Sequence, residues 1–318
     1  MRWIRLVLVC LCAGAFFSAN AAYPERTVRL IVPFAAGSGL DKLARVTGER
    51  LSRELGQSFV VENITGAGGN VGVDSVLRGP RDGHTLLFAT MGTMVINPHL
   101  YKGQKRTPLT DFQVIGPIQS STNVLAVRPD LPFNNLQQLI AYAKANPGKL
   151  TYGSSGIGSS SHLSAALLAQ MAGIELTHVP YRGSSAAATD FMGGRLDFMM
   201  DGASQYVQLA STGKVRVLGT TSRRRFETMT QWQPLADAGL PGFDVTIWTA
   251  VMAPQGTPQA VVEALRRALT KIVAEPEFRT AIAPDEPMVM SVPAFEAFLQ
   301  TENAKWERLV RESGATAE

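Results

Sequence analysis

Along the chain, short runs of aliphatic and β-branched residues alternate with stretches whose apolar residues recur every three or four positions. Residues 28–32 are nearly continuous apolar sequence, the pattern of a strand buried on both faces. Leu40, Leu43, Ala44, Thr47, Leu51 and Leu55 then fall at helical spacing, with Gly56 where a left-handed C-cap belongs. Residues 59–61 and 86–89 read as strands, with a helix over 72–78 between them. The order then repeats: a strand at 123–127, a helix over 136–145 stopped by Asn146-Pro147-Gly148, and a strand at 150–152. A helix carrying Leu163, Ala166, Leu167, Gln170 and Met171 follows, closed by Gly173, with strands at 177–179, 196–200 and 215–218. Such alternation predicts an α/β protein with mostly parallel sheets flanked by helices. Two amphipathic helices end the chain. One starts with Thr257 as N-cap and Pro258 at the first helical position, and buries Val262, Leu265, Leu269 and Ile272. The other carries Phe295, Phe298, Leu299, Trp306 and Leu309. Neither shows a polar residue on its apolar face, so both read as scaffold.

Two of the strand-to-helix junctions carry the interest. The first strand runs through Phe34, Ala35 and Ala36 into Gly37-Ser38-Gly39, and Asp41 opens the helix. The strand at 150–152 runs into Gly153-Ser154-Ser155-Gly156-Ile157-Gly158-Ser159, with His162 in the following helical turn. A helix N-terminus offers free backbone N–H groups and a partial positive charge, and glycine lets a ligand approach the main chain closely. Anions suit that combination. One such turn is ordinary βα connection; two, in separate α/β units, predict a cleft with an anion-binding edge on each wall. Asp41 has three readings: a helix-dipole acid, an acceptor for a ligand ammonium, or a brace for the glycine loop. Asp201, at the end of the run Phe198-Met199-Met200, is either a ligand contact or a loop cap.

Other chemistries fail on spacing. Gly37-Ser38-Gly39 lacks the third glycine of a dinucleotide turn, Lys42 stands in no phosphate-loop pattern, and Gly66-Ala67-Gly68-Gly69-Asn70-Val71-Gly72 sets its last glycine one residue late. Ile157 occupies the position where a nucleophile elbow requires glycine. A serine of residues 154–161 working with His162 is therefore the weaker, hydrolase alternative. The histidines at 84, 99, 162 and 178 have no metal-ligand spacing. No metal and no cofactor is expected, and the protein is read as a binder, not an enzyme.

The N-terminus reads as an export signal: Arg2 and Arg5, an apolar stretch over residues 6–17, and Ala19-Asn20-Ala21, with cleavage expected after Ala21. Cys10 and Cys12, the chain's two cysteines, leave with it, which excludes disulfides and thiolate chemistry from the mature protein. The formal charge of +4 drops to +2, because two arginines and no acids are removed. That balance argues against nucleic acid as a partner.

Val32-Pro33-Phe34-Ala35 with Gly37, Gly39 and Asp41, followed by Val61-Glu62-Asn63 and Gly66-Ala67-Gly68-Gly69, resembles the Bug family of periplasmic receptors of tripartite tricarboxylate transporters. Asn97-Pro98, Asn146-Pro147-Gly148-Lys149, His178-Val179-Pro180-Tyr181, Gly239-Leu240-Pro241-Gly242, Ala253-Pro254 and Lys305-Trp306 continue the match over the mature chain. The resemblance implies a two-lobed periplasmic-binding-protein (Venus-flytrap) fold, each lobe a mostly parallel sheet flanked by helices. Two crossover strands near Ser120 and Ser222 would divide it into lobe 1 (residues 22–120 and 223–318) and lobe 2 (121–222). It implies a monomeric periplasmic receptor for a small carboxylate: a di- or tricarboxylate, an acidic amino acid or an aromatic acid. The partners would be transporter membrane subunits, or alternatively a sensor kinase. The family's ligand loops map onto Phe34, Ala35, Ala36, Ser38, Gly39 and Asp41; onto Thr90, Gly92 and Thr93; onto Ser154, Ser155, Gly158, Ser159 and His162; and onto Asp201. Departures stand at Ser38 and Leu40 in the first loop, at Ile64-Thr65, at Ser204-Gln205, and at Arg182, where lysine is typical.

Overall fold

The computed structural model describes residues 23–102 and 108–317; the expected leader, with its cut after Ala21, lies outside the described residues. The chain opens with strand β1 (Val28–Val32), helix α1 (Gly39–Leu55), strand β2 (Phe59–Asn63), helix α2 (Asn70–Leu77) and strand β3 (Thr85–Thr90). β1 pairs in parallel with both β2 and β3. Gly56 caps α1 at φ 72°, as its position in the sequence predicts. After β3 a π-helical turn (Gly92–Ile96) leads into the short helices α3 (Asn97–Leu100) and α4 (Pro108–Asp111).

Strand β4 (Phe112–Val127) then runs for 16 residues out of the first half of the molecule into the second. The second half adds helix α5 (Leu136–Ala145), β5 (Thr151–Ser154), α6 (Ser160–Ala172), β6 (Thr177–Pro180), α7 (Ser184–Met192), β7 (Phe198–Gly202), α8 (Ala203–Ser211) and β8 (Arg216–Thr220). The chain returns through β9 (Thr246–Pro254), α9 (Gln259–Val273), α10 (Pro276–Ile282), β10 (Glu286–Pro287) and α11 (Val292–Ser313). The ten strands form a curled mixed sheet in the order β2-β1-β3-β9-β4-β7-β5-β6, with β8 and β10 also paired to β4.

β4 explains how the two halves face each other. Over residues 112–122 it is antiparallel to β9, and over 123–127 it is antiparallel to β7 on one edge and β8 on the other. β9 is in turn antiparallel to β3. β3 and β4 therefore run in the same direction, and β7 with its parallel neighbour β5 runs against them. The carboxyl ends of β1 and β3 point at the second half, and those of β5 and β7 point back at the first.

The periodicity of the sequence does not show all of this. Gly116-Pro117 lies inside β4, although neither residue type favours a strand interior. Pro117 is accommodated because the register shifts on both sides of it, the setting in which proline survives within a sheet. β9 is a nearly continuous apolar run of the kind a strand buried on both faces shows, whereas α7 begins with five small or hydroxyl residues and has no helical signature of its own. The helix expected to start with Pro258 in its first turn begins one residue later, with Pro258 itself at the N-cap. Thr257 instead donates to the Pro254 carbonyl at 2.8 Å.

The last helix is not purely scaffold apolar. Glu302 is buried on the same face as Trp306, accepts from its indole Nε1–H at 3.0 Å, and pairs with Lys305. Removal from water pushes its carboxyl above the usual carboxylate range. A polar residue belongs there because an enclosed indole N–H needs an acceptor.

Candidate functional site

The first loop is exposed along Ala35, Ala36, Gly37 and Gly39, with Phe34 and Ser38 half-buried. Ser38 is the N-cap of α1, its hydroxyl accepting from the Asp41 amide at 3.2 Å. Asp41 turns inward. Its carboxylate accepts from the Gly37 amide at 2.9 Å, from Asn63 Nδ2 at 3.0 Å and from Arg45 Nε at 3.0 Å. The Arg45 hydrogen bond first, then that of Gly37, lowers its pKa to about 2. Of the three roles open to this acid, the structure selects the brace: it is charged, buried and fully paired within the loop. Leu40 packs against the core and leaves the loop mouth open. A Cβ placed on Gly37 or Gly39 would meet no atom within 4 Å. The main chain there fronts open space.

The second loop of this half is closed on itself. The Thr90 and Thr93 amides each donate to the other residue's hydroxyl at 3.2 Å, and Thr93 Oγ1 donates to the Thr90 carbonyl at 3.1 Å. These hydroxyls shape the turn around Gly92.

On the facing wall, Ser159 caps α6 through the His162 amide and donates to the Gly156 carbonyl at 2.7 Å. Ser155 and Ser159 share hydrogen bonds with Ser161. Gly158, at φ 76°, is so closely covered that a Cβ would lie 2.0 Å from Leu100 Cδ2 of α3. The two halves touch there. His162 takes the Gly158 amide on Nδ1 at 3.0 Å and stacks on His178 with ring centroids 4.1 Å apart. Burial first, then the neighbouring imidazole, depresses its pKa to about 4, so the ring is neutral near pH 7. The stack continues through His178 to Tyr152 at 4.8 Å. His162 and His178 also line a cavity of about 860 Å³ under residues 312–316, behind the loop.

The serine–histidine alternative finds little to work with. The close pair is Ser154 with His178 Nε2 at 2.6 Å, and Ser154 is wholly buried. Ser155 pairs with Ser161, not with His162.

Asp201 ends β7. Its Oδ1 accepts from the Gly202 amide at 2.9 Å, whereas Oδ2 has no hydrogen-bond partner. Burial pushes this carboxyl above the usual range, opposed by the nearby Ser184 hydroxyl and the Gly202 amide. A Cβ on Gly202 would also meet open space.

Register ties the walls together. On β4, Gln119 pairs with Thr249, which pairs with Thr90 at the end of β3; Asn123 pairs with Gly202 at the end of β7. Four residues of strand, about 13 Å, separate the two levels. Buried side-chain atoms without a hydrogen bond also occur on these strands and the helix beside them. Among the described residues nine such atoms occur, and those of Arg50, His84 and Arg128 belong to side chains with ion-pair partners. The other five are Asn123 Oδ1, Asp201 Oδ2, Tyr206 OH, Trp248 Nε1 and Thr249 Oγ1. Apart from Asp201, none of these carries a sequence motif. Asn123 and Thr249 lie in apolar strand sequence, and Tyr206 and Trp248 look like core aromatics; strand alternation sets Asn123 and Asp201 on opposite faces of the sheet, and Trp248 and Thr249 likewise.

Among the described residues no group of three or more His, Cys, Asp or Glu side chains is placed to hold a metal ion, and no helix is long and apolar enough to cross a membrane.

Residues 43–315 match the tripartite tricarboxylate transporter family receptor profile. The UPF0065 protein of the tcbD-tcbE intergenic region of Pseudomonas sp. (strain P51) is 38% identical over 299 residues, covering 92% of this chain and 87% of that one. Among solved structures, R. palustris Rpa4515 with adipate superposes with a TM-score of 0.81 at 33% identity, covering 92% of this chain and 99% of that one. The periplasmic binding protein BugD gives 0.78 at 34% identity, covering 93% and 100%. MatC from Rhodopseudomonas palustris with bound malate gives 0.77 at 29% identity, covering 91% and 100%. The fold and the Bug-family resemblance read from the motifs are both confirmed by these matches. This chain belongs to the solute-binding receptors of the tripartite tricarboxylate transporter family.

Proposed function

We propose that this receptor encloses a small organic carboxylate between two lobes, residues 22–120 with 223–318 and residues 121–222, and delivers it to the membrane subunits of a tripartite tricarboxylate-type transporter. It acts in the periplasm, after removal of the leader. The observation that carries the reading is the pair of glycine- and serine-rich junctions, at residues 34–39 and 154–159, set at strand carboxyl ends that point toward each other. The first amides of α1, beginning at exposed Gly39, and the first amides of α6 supply donors from both walls without a formal charge. Rpa4515 with adipate and MatC with malate show that relatives of this fold take dicarboxylates. Hinge closure around the guest follows the general behaviour of two-lobed binding proteins.

A thermal-shift screen of organic acids, sugars and amines tests this. A bound acid raises the melting temperature by mass action, by about 2.7 kcal/mol of stabilisation at a hundredfold excess over Kd. A clear response to a sugar or an amine, with none to any acid, would remove the proposal.

A further inference from the structure

Ser154 ends β5 wholly buried, and the loop it opens holds Gly156 and Gly158 at positive φ, 141° and 76°. Glycine leaves the backbone many conformations, so the shape of this loop has to be imposed by its neighbours. One of them is His178, from the run His178-Val179-Pro180-Tyr181. β6 sets His178 opposite Tyr152 in parallel register, and its Nε2 reaches diagonally to Ser154 Oγ at 2.6 Å. The same hydroxyl accepts from the Gly156 amide at 3.2 Å and lies 3.2 Å from the Gly156 carbonyl. Among the described residues, His178 is the one side chain outside the loop that bonds this hydroxyl. The ring is itself held between Tyr152, at 4.8 Å, and His162, at 4.1 Å, and His162 Nδ1 takes the Gly158 amide. With the Gly156 and Gly158 amides engaged in this way, Ser160 and Ser161 at the start of α6 keep backbone donors that the helix itself cannot satisfy.

We infer that His178 is a positioning residue of this receptor: acting through the Ser154 hydroxyl, it holds the 154–158 loop in the shape that brings the opening amides of α6 to a ligand carboxylate. The inference rests on the carboxylate reading of the site and deepens it, by assigning part of this wall's affinity to a side chain that does not touch the ligand. Burial lowers the pKa of the ring, which stacks on His162 and works as a neutral partner.

The test separates the hydrogen bond from the ring. His178→Phe keeps a ring in the stack and loses the bond to Ser154, whereas His178→Gln gives up the ring but can donate or accept near the position of Nε2. Two measurements are made on the full mature chain at neutral pH: amide hydrogen exchange at Gly156 without ligand, and calorimetric titration with adipate and with malate. His178→Phe should quicken exchange at Gly156 by about tenfold and weaken the acid that binds by about tenfold. His178→Gln should stay within about threefold of wild type in both. Ser154→Ala should weaken binding as much as His178→Phe, and the double variant no further, because residues acting as one unit are not additive. Melting curves establish that the variants fold; if His178→Phe does not, Ser154→Ala and His178→Gln still decide. Wild-type affinity in His178→Phe or Ser154→Ala, a loss in His178→Gln equal to that in His178→Phe, or additive losses in the double variant would each overturn the inference while leaving a carboxylate receptor standing. If the wild-type chain binds neither acid, the carboxylate reading is struck, and exchange at Gly156 alone decides whether His178 holds the loop: an unchanged rate in His178→Phe overturns that as well.

Discussion

Asn63 and Asp41 are joined across the first ligand loop. Asn63 Nδ2 donates to Asp41 Oδ1 at 3.0 Å and to the Phe34 carbonyl at 3.0 Å, tying the end of β2 to both ends of the glycine turn. The loop that fronts the cleft is thus held from behind. Asp41→Ala removes two hydrogen bonds to a carboxylate, from the exposed Gly37 amide and from Asn63, and should cost roughly 1–3 kcal/mol in a denaturant melt. Ligand affinity should fall with it. Asp41 has a folded pKa below its unfolded value, so its contribution is complete above about pH 4 and disappears as pH falls toward 2. Arg45→Ala removes a half-exposed partner and should cost less than about 1 kcal/mol.

Gly39 and Gly202 separate binding from folding. Neither has an atom within 4 Å of where a Cβ would stand, and neither has a positive φ. Gly39→Ala and Gly202→Ala should leave stability within about 0.5 kcal/mol of wild type or raise it slightly. If the backbone there contacts a ligand, each methyl group should weaken acid binding by about tenfold or more. Unchanged affinity in both would place the guest elsewhere.

Gly158 tests closure. Its contact with Leu100 leaves no room for a side chain, and its φ of 76° disfavours one. Gly158→Val should hold the halves apart: small-angle scattering should report a larger radius for the ligand-saturated variant than for the saturated wild type, with weaker binding. Leu100→Ala in the same chain should restore part of the affinity by opening space.

The stacked imidazoles make acid stability asymmetric. His162 has a folded pKa of about 4, and His178 is also lowered by burial. Between about pH 6.5 and 4 the unfolded chain binds protons that the folded chain refuses, so stability drops as pH falls through that window, by at most about 1.4 kcal/mol per pH unit for each group. Below it the effect levels off. His162→Asn places an amide oxygen near Nδ1, where it can still take the Gly158 N–H, and should flatten the slope in melts across this range. An unchanged slope would assign the acid sensitivity to other groups.

Glu302 and Trp306 give a structural control remote from the cleft. Glu302→Ala leaves the indole N–H buried and unpaired, at roughly 1–3 kcal/mol, whereas Glu302→Gln keeps the acceptor and should cost less. Neither should change ligand affinity once melting is accounted for.

The sequence by itself determined the strand–helix alternation, the glycine junctions and the family, because these depend on local periodicity and on backbone conformations that particular residues favour. Gly56 as C-cap could be read directly, since capping involves residues only a few positions apart. Tertiary structure alone decided what the candidate groups do. Asp41 proves to be a brace because Asn63, 22 residues away, meets it across a parallel strand pair. His162 is a stacked, neutral ring because His178 arrives on an adjacent strand. Asn123, Tyr206, Trp248 and Thr249 have the sequence signature of core residues. Their unpaired atoms come to light only in the folded chain, where each side chain's neighbours arrive from distant segments. Partnering of buried polar atoms is a property of three-dimensional neighbours, and no spacing along the chain encodes it.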